Sequence, residues 1–103
     1  MGRYADVFRA SVADPEGFWL GAAEAIEWTS APTRALDGSN PPFYRWFPDG
    51  ELNVCHNALD RHVEAGRGEQ AALIYDSPVT GTQRTYTYTQ LRDEVARFAG
   101  VLA

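Results

Sequence analysis

The chain has 103 residues, a formal charge of −5, 45% apolar residues and one cysteine, Cys55. That length suits one domain at most, one that buries roughly 60–70% of its unfolded surface and has little core to spare. The nine basic residues are all arginine and form no run, which excludes the usual electrostatic footprint for nucleic acid or an anionic membrane; a lone cysteine excludes an internal disulfide, and no apolar stretch reaches the length of a signal peptide or membrane span, so a cytoplasmic protein is expected.

Residues 1–30 read as two short helices. Tyr4, Val7 and Phe8 share a face of the first, and Asp14-Pro15-Glu16 is a conventional start for the second, with Asp14 as N-cap. Phe18, Trp19, Ala22, Ala23 and Ile26 then recur at helical spacing as far as Trp28, an amphipathic element that needs something to lie against. The stretch "TSAPTRALDGSNPP" is a connector full of turn-formers, and "PPFYRWFPDGEL" follows as an extended strap, because Pro41-Pro42 rules out a helix there. Pro48-Asp49-Gly50 marks a turn, with glycine available for a positive φ, so a small hairpin of Tyr44–Phe47 with Glu51–Leu52 is expected.

Asn53 can cap a helix from Val54 to about Ala65 whose inner face carries Cys55, Ala58, Leu59 and Val63, and Gly66 ends it. Ala71–Asp76 is an apolar strand and Arg84–Tyr88 a second, alternating Thr with Tyr, so a β-hairpin is expected with Tyr86 and Tyr88 on one face. Thr87-x-x-Gln90 has the form of a capping box, and Leu91, Val95, Phe98 and Leu102 make a helical stripe expected to pack back on the hairpin.

The candidate chemistry is sparse. Gly66-Arg67-Gly68-Glu69-Gln70-Ala71 matches a dinucleotide-binding pattern, but a helix precedes it and a strand follows, the reverse of the order that aims a helix N-terminus at a pyrophosphate. A helix end and loop is the better reading. Cys55, His56 and His62 lie on one helix and cannot close a tetrahedral metal site, and Cys55 sits on the apolar face, as a buried thiol would rather than a nucleophile. The pairs Glu24/Glu27 and Asp93/Glu94 read as solvated charge, and the spacing of Arg61, Arg67 and Arg84 does not gather them around a phosphate. What remains conspicuous is aromatic surface: Trp19, Trp28, Phe43, Tyr44, Trp46 and Phe47 are the candidate packing or interaction residues, and no catalytic, cofactor-binding or metal-ligating residue is assigned.

The block "LDGSNPPFYRWFPDGELNVCHNALDRHVE" resembles the segment near the start of AMP-forming short-chain acyl-CoA synthetases, the acetate and propionate CoA ligases of the adenylate-forming superfamily. Tyr4–Trp28 resembles that family's extreme N-terminus, and "ALIYDSP" with "RTYTYTQLRDEVARFAGVL" its entry into the large adenylating domain. "SNPPFYRWF" and "LNVCHNALDRH" look more like the propionate-activating branch. The resemblance implies a parent ligase that uses ATP, Mg and coenzyme A, with residues 1–65 as the N-terminal segment and residues 66–103 as the first hairpin and helix of the AMP-binding domain. It implies an α/β (α+β) fragment of a larger fold: a helical N-terminal segment and strap, then helix, β-hairpin and helix. The family's phosphate loop and its C-terminal lysine have no counterpart in a chain without lysine, so the fragment alone is expected to be inactive. The expected partners are the remainder of the ligase and, in its absence, a second copy of the chain. The alternative is an independent protein-interaction or self-association module.

Overall fold

The computed structural model describes residues 2–103, which fall into two compact units, Met1–Asn53 and Val54–Ala103. The packing boundary therefore lies at the start of the third helix, whereas the expected division at residue 65 falls in that helix's last turn.

In the first unit, α1 spans Arg3–Ala13 and α2 spans Pro15–Ala23. Asp14 caps α2 as expected, its carboxylate accepting from the Gly17 amide at 3.0 Å. The helical pattern running on to Trp28 is not followed, because α2 stops at Ala23. The Ala23 carbonyl accepts from the Trp28 indole Nε1 at 2.8 Å, so Trp28 folds back over the helix end instead of extending it. The large apolar residues along α1, Tyr4, Val7, Phe8 and Val12, are all exposed.

The connector and strap fold onto each other as one irregular hairpin. β1 (Leu36–Asp37) pairs antiparallel with β2 (Arg45–Trp46), and further out Ser30 pairs with Glu51. Thr33 sits between these pairs, its amide donating to both carboxylate oxygens of Asp49 at 3.0 and 3.1 Å. The expected pairing of Tyr44–Phe47 with Glu51–Leu52 is thus corrected: each arm pairs with the connector. The expected turn does form, with the Gly50 amide donating to the Phe47 carbonyl at 3.0 Å. Its positive φ falls on Phe47 (46°) and not on Gly50. Gly50 is needed for space, since a Cβ there would lie 2.7 Å from Cζ3 of Trp28.

In the second unit, residues 54–67 form α3, with wide i→i+5 turns at His56–Asp60 and Val63–Arg67. Gly66 ends it at φ 82°, the left-handed conformation of a glycine helix stop. β3 (Ala71–Ser77) and β4 (Thr82–Thr87) pair antiparallel, with a bulge between Ala71 and Leu73, and α4 runs Tyr88–Leu102. The capping box is present, Gln90 N donating to Thr87 Oγ1 at 3.2 Å and Thr87 N to Gln90 Oε1 at 3.0 Å.

Two expectations fail here. Tyr88 is not the last residue of β4 but the first of α4, so Tyr86 and Tyr88 do not share a strand face. The α4 stripe is covered only in its first half: Leu91 and Val95 are half-buried, while Phe98 and Leu102 are exposed. Of the expected inner face of α3, Leu59 is buried and Ala58 is exposed.

Candidate interaction surface

Five aromatic rings form a continuous ladder through the first unit. Phe18 meets Trp19 edge to face at 5.2 Å, Trp19 meets Trp46 edge to face at 5.8 Å, Trp46 tilts against Phe47 at 5.9 Å, and Phe47 against Trp28 at 5.5 Å. These separations and angles fall in the range where aromatic pairs attract beyond simple area burial. The ladder joins α2, the strap and the segment after α2, elements too short to hold one another by backbone pairing alone.

Polar side chains fix the same elements. Glu16, in the first turn of α2, accepts from the Ala35 amide at 2.6 Å and the Leu36 amide at 3.3 Å, clamping the start of β1 onto the helix. Ala35 is 1% exposed. Its amide therefore depends on Glu16, because a buried N–H without an acceptor carries the full penalty of lost hydration. The Asp49 carboxyl is held below the usual carboxylate range, chiefly by hydrogen bonds from the Thr33 hydroxyl and amide. Asp37 is lowered likewise, by Ser39 first and then by Arg34 and Arg45.

The structure brings four of the six sequence-assigned residues, Trp19, Trp28, Trp46 and Phe47, into one ladder, and it leaves much of the set uncovered. Trp28 and Phe47 are half-buried, whereas Trp19 is 42%, Trp46 54% and Phe43 73% exposed. Tyr44 is also exposed, its ring lying along Gly38, where a Cβ would come within 3.1 Å. Trp19 stands between two open apolar hollows, one of about 330 Å3 lined also by Ala22, Ile26, Trp28, Phe47 and Leu52, the other of about 280 Å3 lined also by Pro15, Glu16, Leu36 and Trp46. Sequence reasoning left Glu16 as an ordinary first-turn acid. Nothing in its local pattern points to amides 19 and 20 residues away.

The glycine-rich motif in the second unit serves packing. The first amides of α4 are already bonded, Tyr88 N to the Gln70 carbonyl at 3.1 Å and Thr89 N to the Gly68 carbonyl at 3.0 Å. A Cβ on Gly68 would lie 2.6 Å from Thr89 Oγ1, so glycine is what lets the loop seat on the helix start. These two amides have no capacity left for a phosphate. His62 packs its ring against Tyr88 at 5.1 Å, and the Arg67 guanidinium lies 5.7 Å from the Tyr88 ring centre. Among the described residues no group of three or more His, Cys, Asp or Glu side chains is placed to hold a metal ion, and no helix is long and apolar enough to cross a membrane.

Residues 4–58 match the acetyl-coenzyme A synthetase N-terminus family. Over 99 residues the chain is 50% identical to a human protein named acyl-CoA synthetase short-chain family member 3, mitochondrial, covering 96% of this chain and 14% of that one. It is 46% identical over 98 residues to an acetyl-coenzyme A synthetase of Streptomyces coelicolor, covering 95% of this chain and 15% of the relative. An uncharacterised protein of Pseudomonas aeruginosa is 55% identical over 92 residues, 89% of this chain and 15% of its own length. The chain thus spans about one seventh of the length of these relatives. With its exposed aromatic ladder and a family match that runs from α1 into α3, the chain belongs to the acetyl-coenzyme A synthetase N-terminus family.

Proposed function

We propose that this chain is the structural N-terminal segment of an AMP-forming short-chain acyl-CoA synthetase and is catalytically silent by itself. The enzyme it serves activates a short carboxylate with ATP to an acyl-adenylate and passes the acyl group to coenzyme A. The observation that carries this reading is uncovered surface: the chain exposes 7870 Å2 in all, whereas a closed domain of its mass exposes about 5,800 Å2, and Tyr4, Phe8, Phe43, Trp46 and Ile74 are among the large apolar side chains left open. A segment spanning 14–15% of its relatives has a large domain to lie against, and the excess is what such a segment leaves open when separated from it.

The propionate branch is the favoured one, supported by the "SNPPFYRWF" and "LNVCHNALDRH" blocks. The cytoplasm is the favoured compartment, in keeping with a single unpaired cysteine. Residues 66–103, as the first hairpin and helix of the AMP-binding domain, bring Ile74, 71% exposed, and the open end of α4 to meet that domain.

The test is complementation. The Streptomyces coelicolor enzyme lacking its matching first segment is mixed with this chain, and AMP release from ATP with acetate or propionate in the presence of Mg and coenzyme A is followed. Restored AMP release with the pair, and none from this chain alone, is expected. Pyrophosphate or AMP release by the chain alone, or no rescue by a chain that circular dichroism shows to be folded, overturns the proposal.

A further inference from the structure

We infer that the Ala35 and Leu36 amides, with the hollow beside them, form a binding site for a short-chain carboxylate, which the chain fills in cis with its own Glu16 and which a free carboxylate takes when that side chain is shortened. This goes beyond the proposed role in a ligase and does not depend on it.

Two successive backbone amides converge on one carboxylate: Ala35 N donates to Glu16 Oε1 at 2.6 Å and Leu36 N to Glu16 Oε2 at 3.3 Å. Such charge-assisted bonds are stronger than those between neutral groups. Ala35 is almost fully buried, so its amide demands an oxygen whichever molecule supplies it. The donors are also held in place without Glu16. The Ala35 carbonyl accepts from the Phe47 amide at 2.7 Å, and Leu36 and Asp37 pair with Trp46 and Arg45.

Shape fixes the class of ligand. Glu16→Ala removes the carboxymethyl group beyond Cβ, which is acetate less a hydrogen, and the space it leaves opens into the hollow of about 280 Å3 lined by Pro15, Trp19, Leu36 and Trp46. Free acetate then finds both amides for its oxygens, and the longer tail of propionate finds the Trp19 and Trp46 rings. Glu16 is the sole charged residue lining this hollow, so its removal leaves no side-chain charge there to repel the incoming anion. In the intact chain the covalent tether gives the Glu16 carboxylate an effective concentration that free acetate does not match, and the site stays closed to outside ligands.

Urea unfolding of Glu16→Ala followed by tryptophan fluorescence, in sodium acetate against sodium chloride of equal ionic strength at neutral pH, tests this. At about 0.5 M, acetate should raise the folded-to-unfolded ratio about five-fold over chloride and approach saturation, and propionate should do at least as well. The Ala35 and Leu36 amide resonances should shift along the same curve. The intact chain, and Gly50→Ala, destabilised in the same unit with Glu16 in place, report what acetate does to any fold through exclusion from its surface; both should gain less than about two-fold. Glu16→Gln keeps the side chain's length, fills the site and should gain no more than these. Equal gains in Glu16→Ala and Gly50→Ala overturn the inference, as does an equal gain in Glu16→Gln, or a gain without movement of the two amides. A Glu16→Ala chain found unfolded in chloride should fold as acetate is added, and one still unfolded at about 1 M acetate overturns the inference too.

Discussion

The two units are of similar size but are held together differently. Met1–Asn53 has two two-residue strands and depends on particular side chains: the ring ladder, the Glu16 clamp, the Asp49–Thr33 bonds and the Trp28–Ala23 bond. Val54–Ala103 depends on repeated backbone pairing in the β3–β4 hairpin and on a capped helix, with Leu59 as its buried large side chain. Where backbone pairing is scarce, single side chains carry the fold, and single substitutions should do more damage.

The sharpest way to break this contrast is Trp28→Ala. It removes a ring contact and an indole hydrogen bond at once, and the expected loss is about 3 kcal/mol. All three tryptophans lie in the first unit, so urea unfolding followed by tryptophan fluorescence reads that unit alone. The counterpart Leu59→Ala should cost about 2–3 kcal/mol and appear in tyrosine and far-ultraviolet signals, leaving the tryptophan transition in place. A tryptophan transition that moved as far in Leu59→Ala as in Trp28→Ala would show that the units do not unfold separately.

Glu16→Ala and Gly50→Ala come next, each at about 2 kcal/mol. The first strands the buried Ala35 amide. The second drives a methyl into a Trp28 ring that its own hydrogen bond keeps from swinging away. In the second unit, Gly66→Ala should cost about 1 kcal/mol through φ alone, since no atom lies within 4 Å of the added Cβ, while Gly100→Ala in the open interior of α4 should stabilise by about 0.5–1 kcal/mol. Chemical denaturation of the four variants ranks them, and a Gly66→Ala loss exceeding that of Gly50→Ala would reverse the contrast.

Acid should produce the smallest effect, and in the first unit. Asp37 and Asp49 have folded pKa values below 3.8, so their stabilisation is complete above the unfolded pKa and is lost as pH falls through the depressed folded values. Stability of the first unit should therefore be flat above about pH 5 and decline below about pH 4. Thr33→Val should weaken that decline, as followed by the tryptophan transition at pH 3 against pH 6; an unchanged difference would remove Asp49 from the account.

Much was legible locally. Asp14, Pro15, Gly66 and the Thr87/Gln90 box mark helix ends because caps act within one turn of chain, and the apolar run Ala71–Asp76 with the Thr/Tyr alternation after Arg84 declares a hairpin. The aromatic surplus was legible as composition: rings that a short chain cannot cover remain exposed, as Trp19, Phe43, Tyr44 and Trp46 do.

What the sequence by itself determined is where elements start, where they stop and which residues need a partner surface, since propensity, capping and periodicity all act over a few residues. Only the tertiary structure decided which surfaces meet. Trp28 turning back to cap α2, Glu16 reaching the Ala35 amide, and Arg45–Trp46 pairing with Leu36–Asp37 and Glu51 with Ser30 instead of the two arms with each other all join residues several to many positions apart. Such contacts are chosen by competition among alternative burials of nearly equal local cost, and that competition is settled by the three-dimensional packing of the whole unit.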